Sequence, residues 1–569
     1  MSARRARGAD ARGVVDALAA CASRFGAAAR REKLQLLARL AGLPVASAAS
    51  LGRLHEILCF VRAYPDDAAV QDAAEHALQE FAPRVRRLTS VERARLHDSG
   101  IAETGLDYPF GLPMTRWLAA RFPGDVTIAW PKFRGGERLE EALSLLVTPT
   151  ESEAFTEGGL GWRRWLRLAG GERRSDLEVL LRLFRAASMS DETREWLFES
   201  LELPIVWRLR GDAPSRTLLR LPGAPVSWHR DGLRRGGVDL TREIERPLRA
   251  LRPAGPTLAA AVIEAARAAM ATRARELHAF ARPNTDDVLV ADPGDGLRVA
   301  LVGLAPDDRL PLDAYYAYLA FKNGMPVSYG GGWGCLGTLE FALNIFESFR
   351  QGESARLIGQ ILRVYARIFR MRCVVVDRSQ IDESNPEALE TGAFYFYAKL
   401  GFRPIDPGVR RLAEAERSRI ARDPDYRSPP AMLKRLGHSN LVLTLDGGAP
   451  PTTVTGSRLA ALVTAHITRA FDGDRRAATA DAAARVARAL GAAEWRRWPP
   501  PERRAFERFS TVIGLIPDLA DWPATERARL RSVMRAKGGA SEARYVAQLD
   551  GHRRLRTSLH ALVRDAPAP

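Results

Sequence analysis

Cysteine is scarce in this chain: Cys21, Cys59, Cys335 and Cys373 are the only four in 569 residues. None is part of a CxxC pair, which speaks against a zinc ribbon or a dithiol redox centre, and so low a density excludes a disulfide scaffold. Lysine is almost missing from the positive charge. Six of the 85 basic residues are Lys and the rest Arg, and against 68 acidic residues the net charge is +17. An excess of that size suits an anionic partner. It is spread along the chain, however, with no dense Lys/Arg block and no basic stripe interleaved with aromatics, so a nucleic acid is the less favoured partner. Long apolar runs are also lacking. No stretch approaches the roughly 18 uncharged apolar residues of a membrane helix, and Met1-Ser-Ala-Arg-Arg-Ala-Arg lacks the apolar segment of a secretory signal. The expected compartment is the cytoplasm. His55 and Cys59 are spaced i, i+4, but no further ligand accompanies them and Glu56 does not complete an HExxH pattern. They are expected to face a core, and no metal site is expected.

What is present is enough for several cores. A chain of this length divides into two to four domains, and 46% apolar with 27% charged residues are ordinary globular values. Residues 1–285 read as mainly helical, divisible into 1–98 and 99–285. Val14 to Leu43, Leu51 to Val61 and Ala68 to Leu88 carry apolar residues at many three- and four-residue spacings. From Ser99 to Gly170, Gly, Pro and Trp become frequent, and Trp117, Trp130, Trp162 and Trp165 read as core anchors. A long Ala-Arg helix is expected from Thr257 to Arg282, closed by Pro283. At Asp286 the period shortens. Asp287–Ala291 and Leu297–Gly303 read as strands, and Ala314–Lys322 and Met325–Trp333 flank Asn323-Gly324, whose tolerance of positive φ marks a type I′ hairpin. After a charged helix, Val409–Arg422, and a strand, Asn440–Leu445, residues 448–456 read as a linker rich in Gly, Pro and Thr. Residues 457–569 are helical and basic, with 21 Arg and Lys against 12 Asp and Glu. An anionic partner would be sought there.

The stretch from Thr338 to Pro404 organises the rest. An apolar strand, Leu339 to Phe346, turns at Gly352 into a helix carrying Leu357, Ile358, Ile361, Leu362, Tyr365 and Ile368. The run Val374-Val375-Val376 follows, then a second helix ending at Gly401, where a left-handed C′ residue is needed. Strand, tight turn and helix is the order that sets backbone N–H groups against an anion. Ser384 and Glu387 have capping-box spacing, and Asn385-Pro386 between them suits a helix start. Ser328-Tyr329-Gly330-Gly331-Gly332-Trp333 reads as a bulge or turn, or alternatively as a close-approach site lining a groove.

The segment Ala393-Phe394-Tyr395-Phe396-Tyr397-Ala398-Lys399-Leu400-Gly401-Phe402-Arg403 resembles the A-x-x-(L/F)-Y-x-K-x-G-F-R segment of the GNAT superfamily of N-acyltransferases. The turn Phe349-Arg350-Gln351-Gly352-Glu353-Ser354 matches that family's pyrophosphate motif at Gly352, with Arg350 one place late and Ser354 for Gly or Ala. At 390, where the family has Asn, stands Glu390, and Asn385 is the available substitute.

The resemblance covers residues 286–447 alone and implies a GNAT-like mixed sheet domain there; with the mainly helical N- and C-terminal regions read on either side, the chain is expected to be a mixed α/β (α+β) protein. The resemblance also implies acetyl-CoA or another acyl-CoA as co-substrate and an amine acceptor, a small molecule or a peptide. Glu340 would be the general base, with Glu347 as fallback, and Tyr397 the acid that protonates the departing thiolate. Leu343, Ile345, Phe346, Arg350, Gln351, Gly352, Glu353, Ser354, Ala355, Tyr397 and Lys399 would hold the cofactor. Two rival expectations are a GNAT-like domain that binds without catalysis and a basic helical interaction protein using the α/β unit as scaffold.

Overall fold

The computed structural model describes residues 2–156, 159–423, 425–448, 454 and 456–564, with only the backbone given for 2–9 and 156. Of the linker read at 448–456, only Gly448, Val454 and Gly456 lie among them. Helical N- and C-terminal regions flank a central nine-stranded mixed sheet. Two compact units divide the chain: Met1–Leu233 with Ala260–Arg282 and Phe321–Pro326, and Arg234–Ala259 with Pro283–Ala320 and Val327–Pro569. Among the described residues no helix is long and apolar enough to cross a membrane.

In the first unit, helices from Ala27–Gly42 to Phe81–Arg86 bury Leu51, Leu54, Leu58, Val70, Leu78 and Phe81. His55 is wholly buried against Thr217, Nε2 to Oγ1 3.1 Å, and Cys59 is buried beside it. Three short strands, β1 (Gly105–Tyr108), β2 (Val126–Ile128) and β3 (Ile205–Arg208), form an antiparallel sheet ordered β1-β3-β2. Trp207 at its centre is fully buried, with Trp117 edge-on to it at 6.3 Å.

The helix expected over Thr257–Arg282 is shorter, Pro256–Ala271, and ends where Ala274 takes φ 51° and Arg275 N–H donates to Met270 O. A helix end made with alanine in the left-handed region carries no glycine to announce it. Pro283 opens a strand instead of closing the helix. The break brings the Glu276 carboxylate to Gly111 N–H, 3.0 and 3.1 Å to its two oxygens. Burial pushes this carboxyl up to about 7, the Gly111 bond opposes the rise and the neighbouring Glu199 adds to it. The folded state therefore binds a proton that the unfolded chain releases. Stability from this group is complete below the ordinary carboxylate range and is lost as pH rises toward 7. Glu276→Gln should remove that slope, so that the variant gains on the parent by no more than about 3 kcal/mol at pH 8. Urea titrations at pH 5 and pH 8 read the difference.

The large sheet of the second unit is ordered β11-β12-β10-β9-β8-β7-β6-β5-β4. Its strands are β4 (Ala250–Pro253), β5 (Pro283–Gly294), β6 (Leu297–Leu304), β7 (Ala314–Lys322), β8 (Met325–Cys335), β9 (Thr338–Ile345), β10 (Cys373–Val376), β11 (Arg403–Pro404) and β12 (Leu441–Thr444). The β7–β8 hairpin turns at Asn323, φ 49°, and Gly324, φ 84°, the two positive values of a type I′ turn. Its tip, Phe321–Pro326, belongs to the first unit.

The glycine passage of β8 is neither bulge nor turn. Ser328 to Cys335 pair in unbroken register with Ile345 to Thr338. A Cβ at Gly331, Gly332 or Gly334 would fall 2.4, 2.6 and 2.1 Å from Tyr315, Tyr365 and Phe369, so these glycines let aromatic rings lie flat on the sheet. The helix Ser354–Ile368 supplies Tyr365, the residue that caps its end supplies Phe369, and the helix buries Leu357, Ile358, Ile361 and Leu362 beside them.

The helices from Gly456–Phe471 to Arg553–Arg564 belong to this unit too. Arg309, between β6 and β7, is buried and donates to Lys537 O at 2.9 Å, Gly539 O at 2.6 Å and Ala540 O at 3.2 Å. Its Nε lies 3.1 Å from Glu542 Oε1, which also takes Lys537 Nζ at 3.0 Å. Asp287 on β5 accepts from Glu542 N–H and from the Tyr316 hydroxyl, each at 2.8 Å.

Candidate functional site

β9 decides where a ligand could enter. Its first residues pair in parallel with β10, Thr338 with Cys373, Leu339 with Val374 and Glu340 with Val375. Beyond Glu340 that pairing stops, while β9 continues to Ile345 paired only with β8 on its other side. Five residues of strand, about 17 Å at roughly 3.4 Å each, thus leave β10, and successive backbone groups on the parting edge need other partners. Gln380 supplies some: its Nε2 donates to Phe341 O at 2.8 Å and its Oε1 accepts from Leu343 N–H at 3.2 Å. Arg350 Nε donates to Ile345 O at 3.1 Å.

A cavity of about 320 Å³ opens along this edge. Leu343, Asn344 and Ile345 of β9 form one wall, Arg350 and Ser354 of the turn and helix start a second, and Gln380 a third. The far side comes from Asn385, Glu387, Ala388, Thr391, Ala393, Phe396 and Tyr397. Those residues were expected on one helix. They lie on two, Pro386–Thr391 and Ala393–Lys399, separated by Gly392 in the left-handed region at φ 66°, ψ 40°. The first is capped by Asn385, whose side chain accepts Ala388 N–H at 3.1 Å. Ser384 does not form the capping box, because its N–H and hydroxyl are turned to Asp382. The second helix ends as its glycine demanded: Gly401 has φ 99°, Phe402 N–H donates to Tyr397 O and Gly401 N–H to Ala398 O, a Schellman end.

Tyr397 is 4% exposed, its ring edge-on to Phe402, and burial raises its hydroxyl well above the ordinary phenol range. It remains a proton-bearing donor at any physiological pH. Glu340 stands at the branch of β9 and β10, outside the cavity walls, with its side chain reaching solvent. Partial desolvation raises its carboxyl, and Asp377 and Asp313 add to the rise. Glu347 is exposed in the short 3-10 turn Glu347–Phe349. Asn344 Oδ1 is buried at the cavity wall without a hydrogen-bond partner among the described residues, an acceptor that pattern reading passed over.

The sequence-read binding residues separate into two groups. Leu343, Ile345, Arg350, Ser354 and Tyr397 line the cavity. Phe346, Gln351, Gly352, Glu353, Ala355 and Lys399 do not. Phe346 is buried and stacked on Tyr329 at 5.3 Å, and Lys399 is exposed. Glu353 is buried and accepts Arg234 N–H at 2.9 Å, which ties the negative charge of the turn to the backbone at 234, and Gln351 O accepts Arg235 Nε. Gln380, Asn385 and Glu387 are cavity residues to which the sequence reading gave no cofactor contact. Gln380 and Glu387 had no local signal, because each reaches the strand or turn from more than 35 residues away in sequence.

His97, Asp98 and Asp107, in the first unit, bring ligand atoms within 4.8 Å of one another. Lys132 Nζ lies 2.5 Å from the same Asp107 oxygen that His97 contacts, where its ammonium takes the place of a cation.

Compared with family models, with curated proteins and with solved structures, the chain has no match.

Proposed function

We propose that the cavity along β9 binds an acyl-CoA and that the protein transfers the acyl group, acetyl in the simplest case, to an amine on a small molecule or peptide. One observation carries the reading: beyond Glu340, β9 parts from β10 and leaves an edge with no strand beside it, along a cavity that holds Arg350, Ser354 and Tyr397. A strand edge of this kind takes up an extended chain through its amides. Arg350 and the start of the helix Ser354–Ile368 offer positive charge and backbone dipole to phosphate.

The chemistry needs a base to take the amine proton and a donor for the thiolate that leaves. Glu340, raised toward neutrality, takes the proton directly or through water. Tyr397, kept protonated by burial, donates to the sulfur as negative charge grows there. The amine attacks the thioester carbonyl, the carbon–sulfur bond breaks, and the products are an amide and free coenzyme A.

Binding without transfer is the second reading, favoured by the position of Glu340 outside the cavity walls. Calorimetric titration with acetyl-CoA, followed by thiol release in the presence of amine acceptors, separates the two. Heat with release supports transfer, heat without release supports binding alone, and no heat removes both.

A further inference from the structure

Two side chains of the protein occupy the recognition groups that the cavity offers. The Gln380 carboxamide lies across the β9 edge, donating to Phe341 O at 2.8 Å and accepting from Leu343 N–H at 3.2 Å. An extended ligand carrying two amides would use the same two groups, one amide N–H donating to Phe341 O and the other amide's carbonyl accepting from Leu343 N–H. Glu387, in the first turn of Pro386–Thr391, sets a carboxylate oxygen 2.5 Å from Arg350 Nη2, as an anionic oxygen of a phosphate would be placed. Gln380 and Glu387 line the cavity with their partners Leu343 and Arg350, and both come from the chain that follows β10.

We propose that Gln380 and Glu387 form an internal latch, an amide and an anion mimic that occupy the recognition groups of the cavity until an acyl-CoA displaces them. The inference rests on the acyl-CoA reading and adds to it how the site is regulated. Ligand entry exchanges contacts instead of adding them: the amides of the ligand replace the Gln380 carboxamide, and a phosphate replaces the Glu387 carboxylate. Each exchange lowers affinity by the strength of the contact given up. The Arg350–Glu387 pair is partly exposed, 34% and 43%, so its release is a several-fold effect, not a thousand-fold one. The two halves of the latch meet different parts of the ligand and are separable.

The test uses the full chain with pantetheine and ADP as separate probes, and coenzyme A as the joined one, by calorimetry. Gln380→Ala should tighten pantetheine about five-fold and leave ADP unchanged. Glu387→Gln should tighten ADP about five-fold and leave pantetheine unchanged. Each should tighten coenzyme A. Glu390→Gln, an exposed residue of the same helix, controls for the general field. Equal tightening of ADP by Glu390→Gln and Glu387→Gln overturns the latch. So does unchanged or weakened binding in the Gln380 and Glu387 variants, which would make these residues supports of the cavity. Failure of parent and variants alike to bind coenzyme A overturns the acyl-CoA reading itself, and the latch with it.

Discussion

Glu340→Gln and Tyr397→Phe are each expected to lower acyl-transfer turnover by about 10²-fold or more while acetyl-CoA still binds. The two losses have different pH signatures. Glu340 works as a base only when ionised, so activity falls as pH drops through its pKa. Desolvation together with Asp377 and Asp313 raises that pKa, so the acid limb of the parent lies above the ordinary carboxylate range. Glu340→Gln should remove the limb along with the turnover. Tyr397→Phe should keep it, since the phenol loses its proton only far above neutrality. Its Michaelis constant for the acyl donor should also change little, because the hydroxyl acts on charge that develops on sulfur during the reaction. Turnover near the parent's in both variants would show that these residues do not carry the chemistry.

Glu542→Ala should lower unfolding free energy by about 3–5 kcal/mol, read from the midpoint of a urea titration. Arg309 and Lys537 both place cationic groups on this carboxylate inside the protein, and its removal leaves two buried cations short of a partner. Because the knot joins Asp287 of β5 and Tyr316 of β7 to residues 537–543, a fragment of residues 286–447 should fail to fold cooperatively. A cooperative transition from that fragment would show the sheet to be independent of the C-terminal helices.

The sequence was most informative where one residue type answers one local need. Asn323-Gly324 supplies two positive φ values, Gly401 ends a helix, and the spacing of Leu357, Ile358, Ile361 and Leu362 lays one face of a helix on the sheet. It was least informative where partners are distant or where a rule is broken by the tertiary structure. Ala274 and Gly392 interrupt helices whose apolar pattern continues through them. Ala250–Pro253, with its arginine and proline, gives no strand signal, yet it pairs with β5. The cavity shows the same division. Tyr397 and Ser354 were visible from motif positions, whereas Gln380 and Glu387 became visible only through the edge and the guanidinium they meet. Glu353 is expected at the cofactor from its place in the motif turn, and its side chain instead accepts Arg234 N–H, a partner more than a hundred residues away that no motif position announces.

The parting of β9 from β10 beyond Glu340 is the feature on which the functional account stands. It is tested most directly by calorimetric titration of the full chain with acetyl-CoA, alongside a variant carrying Arg350→Ala. The account predicts saturable one-to-one heat for the parent and binding at least ten-fold weaker for Arg350→Ala. Absence of heat with the parent, or equal affinity for both proteins, would contradict it.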